Sequence, residues 1–351
     1  MRISHSPANL FTGIHNPLLD KRKFESSRED IKRICRFFSI GELRHYEKEK
    51  GPVLYHANFF VFVATTRGHY ALKFYPPDTA QAIAVEYAIN RILTNHHFPT
   101  PIMYAGQGGQ PFFASNDRLA ACYSYIDGLP AWQHINQRNT FPKINTAMLS
   151  LKNILSDAMR HVPSPKKENL STTINALVQS SRLTAYYDQK ETINASLLDA
   201  CQTYKHHQRL FTRQWLHSDA NLTNFLIYKK TVYTLDLSHI QEDYVLSDLT
   251  SLIPSCLLLN IPAKKIKTIV KDYFTRHKIK PEYFLVLNTL IKIKLIKDYL
   301  RNIRRKESID LSTYPPDLMH TYIFHLSKHQ ESIAAVLKKM HDAPPNTFQL
   351  G

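Results

Sequence analysis

Cysteine, glycine and long apolar runs are all scarce in this chain of 351 residues, and each scarcity excludes something. The four cysteines, Cys35, Cys122, Cys201 and Cys256, lie far apart with no CxxC pair. A disulfide framework is therefore excluded, and free thiols in a reducing compartment are expected. Among only 9 glycines, Gly106, Gly108 and Gly109 make a turn, but without GxGxxG spacing and without opening a helix. They are no phosphate cradle. No apolar run reaches the length of a membrane span; the most apolar, Leu257 to Ala263, is short and contains Pro262. The N-terminus shows no basic-then-apolar signal pattern, so a cytoplasmic protein without a membrane span is expected. The 18 histidines include no HExxH, and pairs such as His96-His97 and His206-His207 cannot both face one site from a helix. That argues against a zinc hydrolase. The absence of GxSxG removes the nucleophile elbow of an α/β serine hydrolase, and no 20–50-residue repeat marks a solenoid.

What is present is an ordinary globular composition, 43% hydrophobic and 21% charged, in a chain long enough for two domains or one large bilobal one. The formal charge of +16 is compatible with nucleic-acid or membrane-surface binding. The lysines are spread widely, which favours a generally cationic surface instead. The densest basic stretch comprises Lys292, Lys294, Lys297, Arg301, Arg304, Arg305 and Lys306. It is interleaved with Leu287, Ile291, Leu295, Tyr299 and Ile303 at helical spacing, and so predicts one amphipathic helix with a solvated cationic face.

Along the chain, residues 1–25 show no periodicity and read as an N-terminal arm. Ser27 with Asp30 three residues on gives a capping box, followed by the apolar face Ile31, Ile34, Phe37 and Phe38, with Gly41 as the stop. Strands are predicted over Phe59 to Thr65 and His69 to Tyr75, joined by a turn at Thr66-Arg67-Gly68. On the second, Tyr70, Leu72 and Phe74 face one way and Ala71, Lys73 and Tyr75 the other. Lys73 is then either a snorkelling edge lysine or a functional one. A helix over 79–95 places Ala82, Glu86, Ile89 and Leu93 on one stripe, where Glu86 interrupts an apolar face and needs a cationic partner. After a break at His97 to Pro101, Leu119 to Ile126 is strand-like and ends at Asp127-Gly128. Residues 130–212 look mainly helical, with Pro163-Ser164-Pro165 and Lys166-Lys167 in a loop. Helical periodicity returns near 264–278, 281–305 and 316–340.

The stretch from Trp215 to Leu249 carries the chemistry. His217, Asp219 and Asn224 stand in a short polar run. Two apolar stretches follow, Phe225 to Tyr228 and Val232 to Leu235, parted by Lys229-Lys230-Thr231. That is a β-hairpin with Asp219 on the loop before it, Asn224 at the start of one strand and Asp236 at the end of the other. Glu242 and Asp243 read as a solvated loop, or alternatively as contacts for a cationic substrate group.

This pattern resembles the catalytic loop and metal-binding aspartate of the aminoglycoside/choline phosphotransferase family, a branch of the kinase-like fold, over residues 30–255. Its loop runs His-x-Asp, four residues, Asn, with an Asp about a dozen further on; here Asp219 to Asn224 is five positions and Asn224 to Asp236 twelve. Lys73, with Glu86 thirteen residues later, is similar to the family's lysine–glutamate pair. Asn58-Phe59-Phe60, Gly68, Pro99-Thr100-Pro101 and Gly128 fall where homoserine kinases of this fold carry matching features, and within the family the chain looks most like them. Three positions depart: the loop Leu54-Tyr55-His56-Ala57-Asn58 lacks the usual glycine, Ser218 stands between His and Asp, and Leu237 follows Asp236 where Phe is frequent.

The resemblance implies an α+β, bilobal protein-kinase-like fold: a β-rich N-lobe over 26–126 and a mostly helical C-lobe over 127–351. It implies an ATP- and Mg²⁺-dependent transfer of the γ-phosphate to a hydroxyl of a small molecule, homoserine or a similar amino alcohol. Asp219 would orient or deprotonate the acceptor. Asn224 and Asp236 would hold Mg²⁺, Lys73 held by Glu86 would contact the phosphates, and the backbone of Ser124 and Ile126 would pair with adenine. His217 and Asp248 would brace the loop. No activation segment or APE motif is found, which argues against a protein kinase. The alternative is a catalytically weak kinase-like module that binds a nucleic acid or a protein partner.

Overall fold

The computed structural model describes residues 27–48, 59–115, 118–160, 170–183, 190–259 and 261–307. The expected N-terminal arm, the glycine-free loop over Leu54 to Asn58, the loop with Lys166-Lys167 and the helix near 316–340 lie outside these residues. The chain separates into two units between Asp127 and Gly128.

The first unit is an antiparallel sheet with a helix on each face. α1 (Arg28–Phe37) starts at the predicted capping box: the Ser27 hydroxyl accepts from Asp30 N at 3.1 Å, and the Asp30 carboxylate accepts from Ser27 N at 3.1 Å. The helix stops before Gly41, because Ser39 already turns into the left-handed region at φ 52°. β1 (Leu43–Lys48), β2 (Phe59–Thr65), β3 (Gly68–Tyr75), β4 (Met103–Tyr104), β5 (Phe113–Ser115) and β6 (Arg118–Ser124) form the sheet. Its strand order is β1-β2-β3-β6-β4, with β5 also paired to β6.

Strand alternation decides what each face meets. Leu72 and Phe74 of β3, with Val61, Val63, Ala120 and Cys122, bury Ile31, Ile34 and Cys35 of α1 and Phe38 just after it. Tyr75, Leu119, Ala121 and Tyr123 point to the opposite face, against Ile83 of α2 (Ala80–Asn95) and Met103. The buried stripe of α2 is Ile83, Glu86, Ile89, Asn90 and Leu93. Ala82, expected on that stripe, is exposed, because spacing back from Glu86 by three rather than four residues points at the sheet. The strand before the boundary ends at Ser124, so Tyr125 and Ile126 lie beyond β6 rather than in it.

The second unit is helical around two small sheets. β7 (Leu129–Pro130), β9 (Phe225–Tyr228) and β10 (Thr231–Thr234) form one, and β8 (Arg213–Leu216) pairs with β11 (Gln241–Tyr244) in the other. Glu242 and Asp243 thus sit on a strand, opposite Trp215 and Gln214, and not in the expected loop. The helices are α3 (Thr140–Ala158), α4 (Leu170–Leu183), α5 (Lys190–His206), α6 (Ser247–Leu258), α7 (Ala263–Arg276) and α8 (Phe284–Glu307). Their apolar faces meet in one core that includes Ile144, Met148, Leu222, Phe225, Leu249, Leu252, Tyr273, Leu287 and Ile291. Buried Asn145 of α3 donates to the Ile269 carbonyl at 3.1 Å and the Asp272 carboxylate at 2.7 Å, tying α3 to α7. Gly128 backs onto β9: a Cβ there would lie 3.1 Å from the Ile227 carbonyl oxygen, so a side chain would push the two backbones apart. No helix among the described residues is long and apolar enough to cross a membrane.

Candidate active site

In the first unit, Lys73 and Glu86 meet as a buried pair, Nζ to Oε1 3.8 Å, with side chains 4% and 2% exposed. Leaving a carboxylate this deep is unfavourable unless donors surround it. Two phenols supply them: Tyr75 of β3 donates to Oε2 and Tyr123 of β6 to Oε1, each at 2.8 Å, and the two hydroxyls are 2.7 Å apart. The Lys73 ammonium also lies 4.7 Å from the centre of the Tyr75 ring. Burial first, then Tyr123 and Glu86, hold the Tyr75 phenol well above its ordinary pKa, so it remains a donor. Neither tyrosine was among the expected site residues. Tyr75 shares Lys73's face by simple alternation, whereas Tyr123 arrives there only through the pairing of β6 with β3, in which Lys73 faces Ala121.

At the end of β6 the backbone departs from ordinary pairing. Ser124 N donates to the Ile102 carbonyl at 2.8 Å, but Ile102 N goes to the Ser124 hydroxyl, at 2.8 Å, instead of to its carbonyl. Tyr125 N donates to the His69 carbonyl at 3.3 Å. Ile102 N therefore does not close a backbone pair on the Ser124 carbonyl.

In the second unit, the loop ahead of β9 is built by its own polar side chains. Asn221 caps the short turn Leu222–Asn224, its Oδ1 accepting from Thr223 N at 3.0 Å and also from the Thr223 hydroxyl. Its Nδ2 donates to Asp219 Oδ2 at 3.1 Å. Asn224 Nδ2 donates to the Asp219 carbonyl at 2.8 Å and to Oδ2 at 3.2 Å. With both Nδ2 protons so engaged, Asn224 Oδ1 is left as an acceptor without a hydrogen-bond donor among the described residues. Leu235 N donates to the Asn224 carbonyl at 2.8 Å, which brings the residue after it, Asp236, to this loop.

Asp236 itself is in the left-handed region at φ 53°, a conformation Asp tolerates better than most residues. Its Oδ1 accepts from the Ser238 hydroxyl at 2.7 Å, and His239 Nε2 lies 3.6 Å from Oδ2. Asn224 Oδ1 and the Asp236 carboxylate are hard oxygen donors of the kind Mg²⁺ takes, and few protein ligands suffice when phosphates supply the rest. The donor set fits that ion.

The loop is braced from behind. His217 is fully buried and its Nε2 is 2.8 Å from the Leu235 carbonyl. Ser218 takes the left-handed conformation, φ 64°, and its N–H donates to Asp248 Oδ1 at 2.8 Å. Burial pushes the Asp248 carboxyl up to about 6, against the opposing pull of His217 and of the Ser218 N–H. His217 Nδ1 and Asp248 Oδ2 are buried without a hydrogen-bond partner among the described residues.

One contact was not expected at all. Lys294 of α8 places its Nζ 3.5 Å from Asp219 Oδ1, with side chains 23% and 22% exposed. Its neighbour Lys292 pairs with Asp199 of α5 at 2.9 Å and is 13% exposed. The cationic side of α8 is therefore partly turned inward, and the expected solvated face is corrected at these two positions. Packing of α8 against α5 and the loop ahead of β9 overrides what helical periodicity alone suggests.

Among curated proteins no match to this chain is found. Solved structures share its fold at low identity. Spectinomycin phosphotransferase APH(9)-Ia, in complex with ADP and spectinomycin, is 12% identical with a TM-score of 0.64, over 90% of this chain and 98% of that one. A choline kinase from Cryptosporidium parvum is 12% identical with a TM-score of 0.62, over 92% and 99%. Amicoumacin kinase hAmiN, in complex with AMP-PNP, Ca²⁺ and Ami, is 12% identical with a TM-score of 0.60, over 90% and 93%. The α+β architecture is thus that of these kinase-like enzymes. The phosphotransferase enzyme family (APH) matches residues 56–278, most of the chain, and it is to this family that the chain belongs.

Proposed function

We propose that this phosphotransferase is an ATP- and Mg²⁺-dependent kinase that phosphorylates a hydroxyl of a small metabolite, homoserine or a similar amino alcohol. The observation that carries the proposal is the state of Asp219. Asn221 and Asn224 both hold Oδ2, which fixes the carboxylate plane, while Oδ1, 3.5 Å from Lys294 Nζ, is the oxygen that would take an acceptor hydroxyl. In the transfer, the acceptor hydroxyl gives its proton to Asp219 while its oxygen forms a bond to the γ-phosphorus of ATP. The bond from that phosphorus to the β–γ bridging oxygen breaks, and ADP leaves with its electron pair.

The remaining roles follow the chemistry of each group. Lys73, oriented by Glu86, would meet nucleotide phosphates. Asn224 and Asp236 would hold Mg²⁺, which when bound neutralises charge on the transferring phosphoryl group. The Ser124 carbonyl and Ile126 N–H offer one acceptor and one donor two residues apart, the complement of the amino group and N1 of adenine. His217 and Asp248 act through the backbone, His217 at the Leu235 carbonyl just ahead of Asp236 and Asp248 at the Ser218 N–H just ahead of Asp219. The four cysteines are free, which supports placing the enzyme in the reducing cytoplasm.

The test is ADP release with Mg·ATP across homoserine, choline, ethanolamine, methylthioribose and aminoglycosides, alongside Asp219→Asn. Acceptor-dependent release is expected, with the variant slower by about 100- to 10,000-fold, the usual worth of a positioned general base. Silence across the panel, with no change in melting temperature on adding Mg·ATP, would reject the reading.

A further inference from the structure

We infer that Lys294 selects the acceptor, and that the acceptor is an alcohol carrying an anionic group, a carboxylate or a phosphate, close to the hydroxyl that reacts. The inference rests on the phosphotransfer reading above. It starts from a conflict in the geometry. Asp219 Oδ1 is the oxygen left for an incoming hydroxyl, yet an ammonium already lies 3.5 Å from it.

The contact gains a purpose once the acceptor is present. As the hydroxyl takes Oδ1, Lys294 stands beside the acceptor itself, within reach of whatever that molecule carries next to its hydroxyl. The rest of α8 agrees in sign. Lys292 is committed to Asp199, and exposed Lys297 lies three residues from Lys294, on the same side of the helix. A polycationic or quaternary-ammonium alcohol would bring like charge against Lys294. A hydroxy acid or a phosphorylated polyol would bring an anion beside that ammonium while Oδ1 works.

The experiment uses the full chain and two matched pairs of acceptors that differ in the anionic group: L-homoserine against L-homoserinamide, and glycerol 3-phosphate against glycerol. Steady-state ADP release and calorimetric binding in the presence of Mg·ADP are read for the native protein, Lys294→Met and Lys294→Arg. The native protein should favour the anionic member of at least one pair by about tenfold or more, and which pair responds tells carboxylate from phosphate. Lys294→Met should abolish that preference, chiefly by raising KM for the anionic member, and Lys294→Arg should restore most of it. A merely structural lysine would lower both members of a pair alike. Equal use of both members, a preference for the neutral one, or a preference that survives Lys294→Met overturns the inference. Where no acceptor turns over, the calorimetric preference decides in the same way. Failure of the kinase reading shows separately, as loss of any thermal response to Mg·ATP.

Discussion

At the scale of single residues, Asp248 carries a tension between position and charge. It holds Ser218 in a left-handed turn by one hydrogen bond, in a site that burial makes unfavourable for its charged form. Its carboxyl is raised in the folded protein, to about 6, above the ordinary 3.8. The folded state therefore binds the proton more readily than the unfolded one. Stability from this group is fully present below about pH 4 and is lost as pH rises through 6, on the order of 3 kcal/mol at most by neutral pH. Asp248→Asn keeps a carbonyl oxygen for Ser218 and removes the charge. Its unfolding free energy, measured by denaturant titration, should match or exceed the native value at pH 7, and the gap should close toward pH 4. Asp248→Ala leaves the Ser218 N–H unpaired and should fall about 1–3 kcal/mol below the Asn variant.

At the scale of elements, the cluster around Glu86 joins a helix to two strands. Tyr75 brings β3, Tyr123 brings β6, and α2 brings the carboxylate that both phenols and Lys73 share. Removing one phenolic hydroxyl leaves a buried carboxylate short of a donor, so Tyr123→Phe or Tyr75→Phe should each destabilise by about 1–3 kcal/mol in urea unfolding. Because the two hydroxyls also touch one another, the double variant should cost less than the sum. Both single variants should raise KM for ATP if Glu86 orients Lys73, and an unchanged KM would separate the cluster's structural role from a functional one.

These elements also show where a sequence can and cannot be read. The capping box at Ser27, the alternation on β3 and the β9–β10 hairpin are local and form from their own residues, although Thr231, read as part of the turn, opens β10 instead. That Glu86 needs a cationic partner was legible because it interrupts an apolar helical face, and the family resemblance supplied Lys73 as that partner. Asn221 could have been found as well, since an Asn two residues after Asp219 and just ahead of a turn is a natural cap. Tyr123 and Lys294 could not. Each reaches its place through tertiary packing, 48 residues from Tyr75 in one case and 75 from Asp219 in the other.

At the scale of the whole molecule, the chain divides into two units that each bury thiols of their own. Cys35 and Cys122 lie in the core of the first, and Cys256 in the core of the second, while Cys201 is partly exposed. Burial raises the Cys35 thiol to about 11 and the Cys256 thiol to about 12, and raises Cys122 further still. Iodoacetamide needs the thiolate and a path to it. Cys201 should therefore be alkylated first under native conditions, with the other three modified only as their surroundings open. Peptide mass spectrometry of a labelling time course would check the order. Early modification of Cys35 or Cys256 would contradict the packing described above. The positions of these thiols have a practical consequence for kinetics: the native chain holds a separate clock in each half. Labelling rates of Cys122 and Cys256, compared with and without nucleotide, would time the opening of each half in one experiment, with no engineered probe.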